Sequence, residues 1–289
     1  MKYGIYYAYW EKEWGGQFVP YVEKCARLGF DILEVATGAF YLENDAFFRE
    51  LGNAAKQNGI RLTGGYGPRP EHNLASKDSA AVEKAFAFYA DMFRKMELAG
   101  IDRLGGALYS YWPVDFHAPM DKPGDTARSI ERMKHLADMA ADHGITLGME
   151  SLNRFEGYMI NECYECVDYV KAVGKPNVKV MLDTFHMNIE EDSMIDAIHL
   201  AGSLLGHFHV GEANRRPPRP GGRIDWAAIG QALKDIDYQG DIVMEPFVTM
   251  GGQVGKDISI WRDLSHGASE AELDKDAADS VAYLRSLWG

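Results

Sequence analysis

Cysteine is scarce in this chain: three residues among 289, at positions 25, 163 and 166. Three thiols cannot all pair with one another, which argues against a disulfide framework. Long apolar runs are missing too, and nothing approaches the roughly 18–20 residues of a membrane span. The opening MKYGIYYAYWEKEWGG has neither the apolar segment nor the small-residue cleavage site of a signal peptide, so a cytoplasmic location is expected. Positive charge is in deficit, with 30 Lys and Arg against 43 Asp and Glu, a formal net charge of −13. Such a surface is a poor match for phosphate backbones, which speaks against a nucleic-acid partner. No Ser/Gly-rich or acidic linker divides the sequence, so one domain over 1–289 is expected. No G-x-G-x-x-G follows the first apolar run, which weakens a dinucleotide-binding reading.

What is present is alternation. Short apolar runs at 3–9, 31–36, 61–66, 102–108, 145–150, 178–183, 206–211 and 241–245 read as strands. Between them lie segments with apolar residues at three- and four-residue spacing, such as AAVEKAFAFYADMFRKMELAG, which close on glycine as helices do. Eight such units averaging about 36 residues predict an α/β fold, a single (β/α)8 TIM barrel.

In such barrels the chemistry sits where strands end and the following loops begin. The last four predicted strands deliver Glu150 after ITLGM, Asp183 after VKVML, His209 within GHFHVGE and Glu245 after DIVM. A lone carboxylate at a strand end usually caps a loop or pairs with a cation, and Asp183 before Thr184 suits a turn cap. Recurrence at the same register of four consecutive units points instead to a metal. Three oxygen donors and one imidazole suit Mn²⁺, Mg²⁺ or Co²⁺ better than copper or a structural zinc. His207 shares a strand face with His209 but lies a layer deeper, as a partner behind the ligands. CYEC at 163–166 lacks the further ligands a zinc site needs, and both cysteines read as helix residues.

The segments GGALYSYWP (105–113), ESLNRFEGYMIN (150–161), VMLDTFHMNIEE (180–191), GHFHVGEANRR (206–216) and MEPFVTMGG (244–252) occur in this order, with IWRDLSHGA at 260–268. Together they resemble the D-tagatose/D-allulose (D-psicose) 3-epimerases, ketose 3-epimerases of the xylose-isomerase-like TIM barrel superfamily. The resemblance runs over nearly the whole chain. It implies that Glu150, Asp183, His209 and Glu245 hold one divalent ion per subunit, Mn²⁺ or Co²⁺ ahead of Mg²⁺. It further implies that Glu150 and Glu245 are the catalytic carboxylates. Glu156, His186 and Arg215 would hold sugar oxygens around C1 to C3, with Tyr6, Trp14 and Trp112, and also Phe247, as aromatics beside the sugar. Spacing does not separate Arg215 from Arg216; the resemblance does. The stretch RRPPRPGGRIDW (215–226) is proline-richer and slightly longer than the relatives' usual loop. The implied reaction interconverts ketohexoses at C3, D-fructose with D-allulose and D-tagatose with D-sorbose, through a cis-enediolate in a homodimer or homotetramer. Rivals are an aldose–ketose isomerase on the same barrel, an apurinic endonuclease, which the net charge opposes, and a non-enzymatic sugar-binding barrel.

Overall fold

The structure, a computed structural model, describes residues Met1–Gly289. Eight parallel strands form a closed barrel in sequence order: β1 Lys2–Tyr6, β2 Ile32–Ala36, β3 Arg61–Gly65, β4 Arg103–Gly106, β5 Thr146–Glu150, β6 Val178–Asp183, β7 Leu205–Val210 and β8 Asp241–Met244. β8 closes on β1 with Lys2 opposite Asp241 and Ile5 opposite Met244. Ten helices connect and cover them: α1 Val19–Leu28, α2 Asp45–Asn58, α3 Ser79–Ala99, α4 Lys122–Asp142, α5 Cys163–Val173, α6 Thr184–Glu190, α7 Met194–Ala201, α8 Trp226–Asp235, α9 Gly252–Asp257 and α10 Glu270–Trp288. The expected (β/α)8 barrel is the fold observed.

Local chemistry sets the helix boundaries. The Asn44 side chain accepts from the backbone N–H groups of Ala46 and Phe47 at the start of α2, and Ser269 with Glu272 forms a capping box on α10. Gly29, Gly59, Gly100 and Gly174 end their helices in the left-handed region, where a side chain would be strained. Helix α8 departs from the expected glycine stop. It ends five residues before Gly240, and Asp237 takes the left-handed backbone at φ 52°. Two strands also end two or more residues before their apolar runs do. Tyr7–Tyr9 turns into a 3-10 helix, and Gly106 at φ 128° leaves the extended region.

All three cysteines are free and buried, and Cys163 and Cys166 lie in α5 as their helix reading expects. The Cys163 thiol faces the carbonyl of Ala197 and the Cys166 thiol that of Met149. No helix is long and apolar enough to cross a membrane.

Helices α2 and α3 pack closely because Gly52 has no side chain. A Cβ there would stand 2.8 Å from the backbone oxygen of Ala99. Alanine gains about 1 kcal/mol of helix propensity over glycine, but overpacking against backbone costs about 1–3 kcal/mol. Gly52→Ala therefore lowers the melting temperature by a few degrees despite its better propensity. A circular-dichroism melt with an unchanged or raised midpoint would contradict this packing argument.

Candidate metal and sugar site

Parallel register brings the strand ends together. Asp183 on β6 lies opposite His209 on β7, Glu150 is the last residue of β5, and Glu245 follows β8 with its N–H donating to the Val210 carbonyl. One ligand atom from each of Glu150, Asp183, His209 and Glu245 lies within 4.8 Å of every other. The first three are buried and Glu245 is partly so. Asp183 serves two purposes: its Oδ1 caps α6 by accepting from the Phe185 N–H at 2.8 Å, while Oδ2 faces the cluster. The turn-cap and ligand readings of this residue are thus compatible.

The donor set fits a divalent cation on its own geometry. His209 Nε2 sits 2.7 Å from Glu34 Oε1, whereas its buried Nδ1 has no hydrogen-bond partner. That nitrogen lies 3.6 Å from Glu245 Oε1, too long for a hydrogen bond. Charge crowding supports the same fit. Burial, and then the charge of Glu245, pushes the Glu150 carboxyl well above the usual range. Burial opposes protonation of His209, yet Glu34 and Glu245 hold the imidazole well above its ordinary value. Both shifts report carboxylates converging on one dry point. A cation at the focus reverses them, keeping the carboxylates ionised and the imidazole neutral.

Arg215 is the guanidinium that faces this cluster. Its Nη1 donates to Glu245 Oε2 at 3.0 Å and to Asp183 Oδ2 at 3.4 Å, and its Nη2 to Glu156 Oε1 at 3.2 Å. It stacks 3.6 Å above the Phe185 ring, and its backbone sits at φ 65°. A non-glycine residue in that region costs about 1–3 kcal/mol, which the surrounding contacts must offset. Arg216 points elsewhere, to the Leu264 carbonyl and His266. Burial would raise the Glu156 carboxyl, but Arg215 and His186 hold it below the usual range.

The hydrogen bonds of His186 determine its tautomer. Its Nδ1 accepts from the backbone N–H of Asn153 at 3.1 Å, so the ring proton is on Nε2. That nitrogen looks toward Glu150 and Asp183 at 3.7 and 3.9 Å. Burial holds the ring below its ordinary pKa, leaving a neutral donor aimed at the site.

Above the rim opens a cavity of about 520 Å³, within the roughly 300–1,000 Å³ of small-ligand sites. Tyr6, Trp14, Trp112 and Phe247 form an aromatic collar, with ring centroids 6.2–6.4 Å apart from Tyr6 to Trp14, Trp14 to Trp112, and both Tyr6 and Trp14 to Phe247. Trp14 is fixed by its Nε1–H, which donates to Asp257 on α9 at 2.8 Å. Every candidate residue except Asp183 lines this one space, and Asp183 stands behind it within the cluster of four. The 215–226 loop contributes only Arg215 to it. Its remainder is held away from the pocket by the buried Glu212, which accepts from the Arg223 N–H and the Trp226 indole.

Sequence reasoning missed Glu34, Asn153, Phe185 and Asp257. Glu34 left a visible trace, a carboxylate inside the otherwise apolar DILEVA. Nothing in the sequence ties Asp257 to Trp14, 243 positions away.

If the four groups bind an ion, adding excess Mn²⁺ to chelator-treated protein raises its melting temperature. At one hundred times the dissociation constant the stabilisation is about 2.7 kcal/mol. Asp183→Asn, which keeps the cap acceptor but removes a charge, reduces or abolishes that response in differential scanning calorimetry. An identical shift in both proteins would place the ion elsewhere.

Comparison with known proteins agrees with the geometry. The family model for the xylose isomerase-like TIM barrel matches residues 22–286. A curated D-psicose 3-epimerase from Agrobacterium fabrum is 53% identical over 289 residues, covering 100% of each chain. A solved D-psicose 3-epimerase with D-tagatose, from Clostridium cellulolyticum, superposes with a TM-score of 0.98 at 51% identity, over 100% of this chain and 99% of that one. Another D-psicose 3-epimerase, solved in the presence of D-fructose, gives a TM-score of 0.98 at 52% identity over 100% of both chains. By its barrel, its rim and these matches, the chain belongs to the xylose isomerase-like TIM barrel family, among the ketose 3-epimerases, and is an isomerase-class enzyme.

Proposed function

We propose that the protein is a metal-dependent ketose 3-epimerase that interconverts D-fructose with D-allulose, and D-tagatose with D-sorbose, by proton removal and return at C3. The observation that carries this reading is the pair Glu150 and Glu245, converging on the floor of one aromatic-walled pocket beside a neutral histidine donor and a buried guanidinium. The sugars named for the relatives, D-psicose, D-tagatose and D-fructose, support the substrate class.

Each residue then has a stated task. Glu150, Asp183, His209 and Glu245 hold one divalent ion per subunit. A single imidazole among three carboxylates favours Mn²⁺ or Co²⁺, with Mg²⁺ third. The bound ion supplies Lewis acidity, stabilising the negative charge that develops on the substrate's oxygens. One glutamate takes the C3 proton from one face, leaving a cis-enediolate. The other returns a proton to the opposite face, and the reverse reaction exchanges their roles. His186 Nε2–H and the Arg215 guanidinium hold oxygens around C1 to C3 with Glu156, so that the C3–H bond lies between the two carboxylates. Tyr6, Trp14, Trp112 and Phe247 exclude water from the intermediate. The rest of the lining, Ala39, Leu42, Gly67 and Arg69 among it, is left for the C4–C6 end of the sugar.

The chain acts as one catalytic domain over 1–289, since β1 and β8 close the barrel and the C-terminal α10 packs on α1 and α8. A homodimer or homotetramer accompanies this reading on the resemblance alone.

With Mn²⁺ and D-fructose in D₂O, NMR should show D-allulose carrying deuterium at C3. Glu150→Gln and Glu245→Gln should each lower the epimerisation rate by several orders of magnitude. An aldose product labelled at C1 or C2 would make the enzyme an aldose–ketose isomerase, and near-normal turnover by Glu245→Gln would refute the two-carboxylate scheme.

A further inference from the structure

Glu34 lies inside the barrel, 1% exposed, with no lysine or arginine in contact. Isolated ionised carboxylates are strongly disfavoured in such surroundings unless hydrogen bonds compensate. Here three donors converge. Oε1 stands 2.7 Å from His209 Nε2, and Oε2 stands 2.8 Å from His207 Nε2 and 2.7 Å from Thr63 Oγ1. Register produces the arrangement: Glu34 on β2 lies opposite Tyr6 on β1 and Thr63 on β3. Glycine makes room for it. A Cβ on Gly65 would press on the Tyr6 ring at 3.3 Å and stand 3.7 Å from Glu34 Oε1, and one on Gly105 would meet Met181 Sδ at 2.5 Å and His207 Cδ2 at 3.6 Å.

An ionised carboxylate only accepts hydrogen bonds, so both facing Nε2 atoms must be donors. A neutral imidazole with its proton on Nε2 presents a lone pair at Nδ1. In both histidines Nδ1 is buried and without a partner. For His209, that lone pair faces the ring of Glu150, Asp183 and Glu245. Released from Glu34, the imidazole can take the other tautomer and donate from Nδ1 to Glu245. A proton would then occupy the direction in which a cation binds.

We propose that Glu34 is a positioning residue: it fixes His209 in the tautomer whose Nδ1 can ligate a divalent cation, and with Thr63 it ties that imidazole on β7 across the barrel interior to β2 and β3. The proposal rests on the reading of His209 as a ligand. Carboxylates placed behind metal-bound histidines typically contribute a factor of about 10–100 in metal affinity.

The test uses the full chain as wild type, Glu34→Gln, His209→Ala and the double variant, each freed of metal and titrated with Mn²⁺. Free Mn²⁺ is followed by electron paramagnetic resonance. The glutamine amide keeps the shape but places an NH₂ against one of the two imidazoles. Glu34→Gln should weaken Mn²⁺ binding by about 10- to 100-fold, and should cause no further loss in the His209→Ala background. An equal loss in both backgrounds, or none in either, overturns the proposal. If His209→Ala itself binds Mn²⁺ like the wild type, the ligand assignment fails and takes this inference with it. A second measurement needs neither metal nor a variant that folds. In metal-free wild type labelled with ¹⁵N-histidine, both imidazoles should keep a protonated Nε2 with no exchange into the opposite tautomer. An unprotonated Nε2 on His209 overturns the proposal directly.

Discussion

The site is governed by the repulsion among carboxylates that the barrel brings to one rim. Glu150, Asp183 and Glu245 converge there, Glu156 stands beside them and Glu34 lies just beneath, while a single buried guanidinium answers them. Unit charges about 4 Å apart interact by about 4 kcal/mol at an effective dielectric of 20. Without a cation, Glu150 and His209 relieve it only by holding protons, both groups being pushed well above their ordinary values. The barrel holds the groups in place because parallel register, not the side chains themselves, sets their positions. Stability from the rest of the fold thus maintains a site that is electrostatically unfavourable until a cation binds. Arg215, at a strained φ of 65° and stacked on Phe185, belongs to the same compromise.

Much of this was legible in the sequence, for identifiable reasons. Strand ends in a parallel barrel occupy one rim, so a carboxylate or imidazole repeated at the ends of β5 to β8 had to converge, and Glu150, Asp183, His209 and Glu245 do. His207 was placed correctly one layer down, because residues two apart on a strand share a face. Its partner Glu34 was not foreseen. Barrel-interior positions of β2 read as plain apolar burial unless one asks which side of the strand a lone carboxylate faces, and its two histidines come from β7, more than 170 residues away. Asp257 and Phe185 were illegible for a related reason. Their importance comes from a contact with Trp14 or Arg215, and no periodicity encodes that. The 215–226 loop shows the limit of reading loops by composition. Its prolines marked it as different from the relatives' loop, yet only Arg215 lines the pocket and the carboxylate of Glu212 ties the rest down elsewhere.

The pocket divides into a charged floor and an apolar collar, and the two make different demands on precision. On the floor, each group has its orientation fixed from behind: Asp183 by the start of α6, His186 by Asn153, His209 by Glu34, and Arg215 by Phe185 and Glu156. Small displacements there change distances to a reacting C3–H bond, and proton transfer is steeply sensitive to them. The collar rings need only fill space and keep water out, and Trp14 alone among them is tied down by a hydrogen bond to α9. A ketose held this way is recognised tightly at the carbons that react and loosely at those that do not. On the proposed chemistry, that division would let one rigid floor serve several sugars, since D-fructose and D-tagatose differ at C4, outside the C1 to C3 oxygens that the floor holds. Breadth of substrate and exactness of catalysis are then compatible, because separate layers of the same pocket carry them.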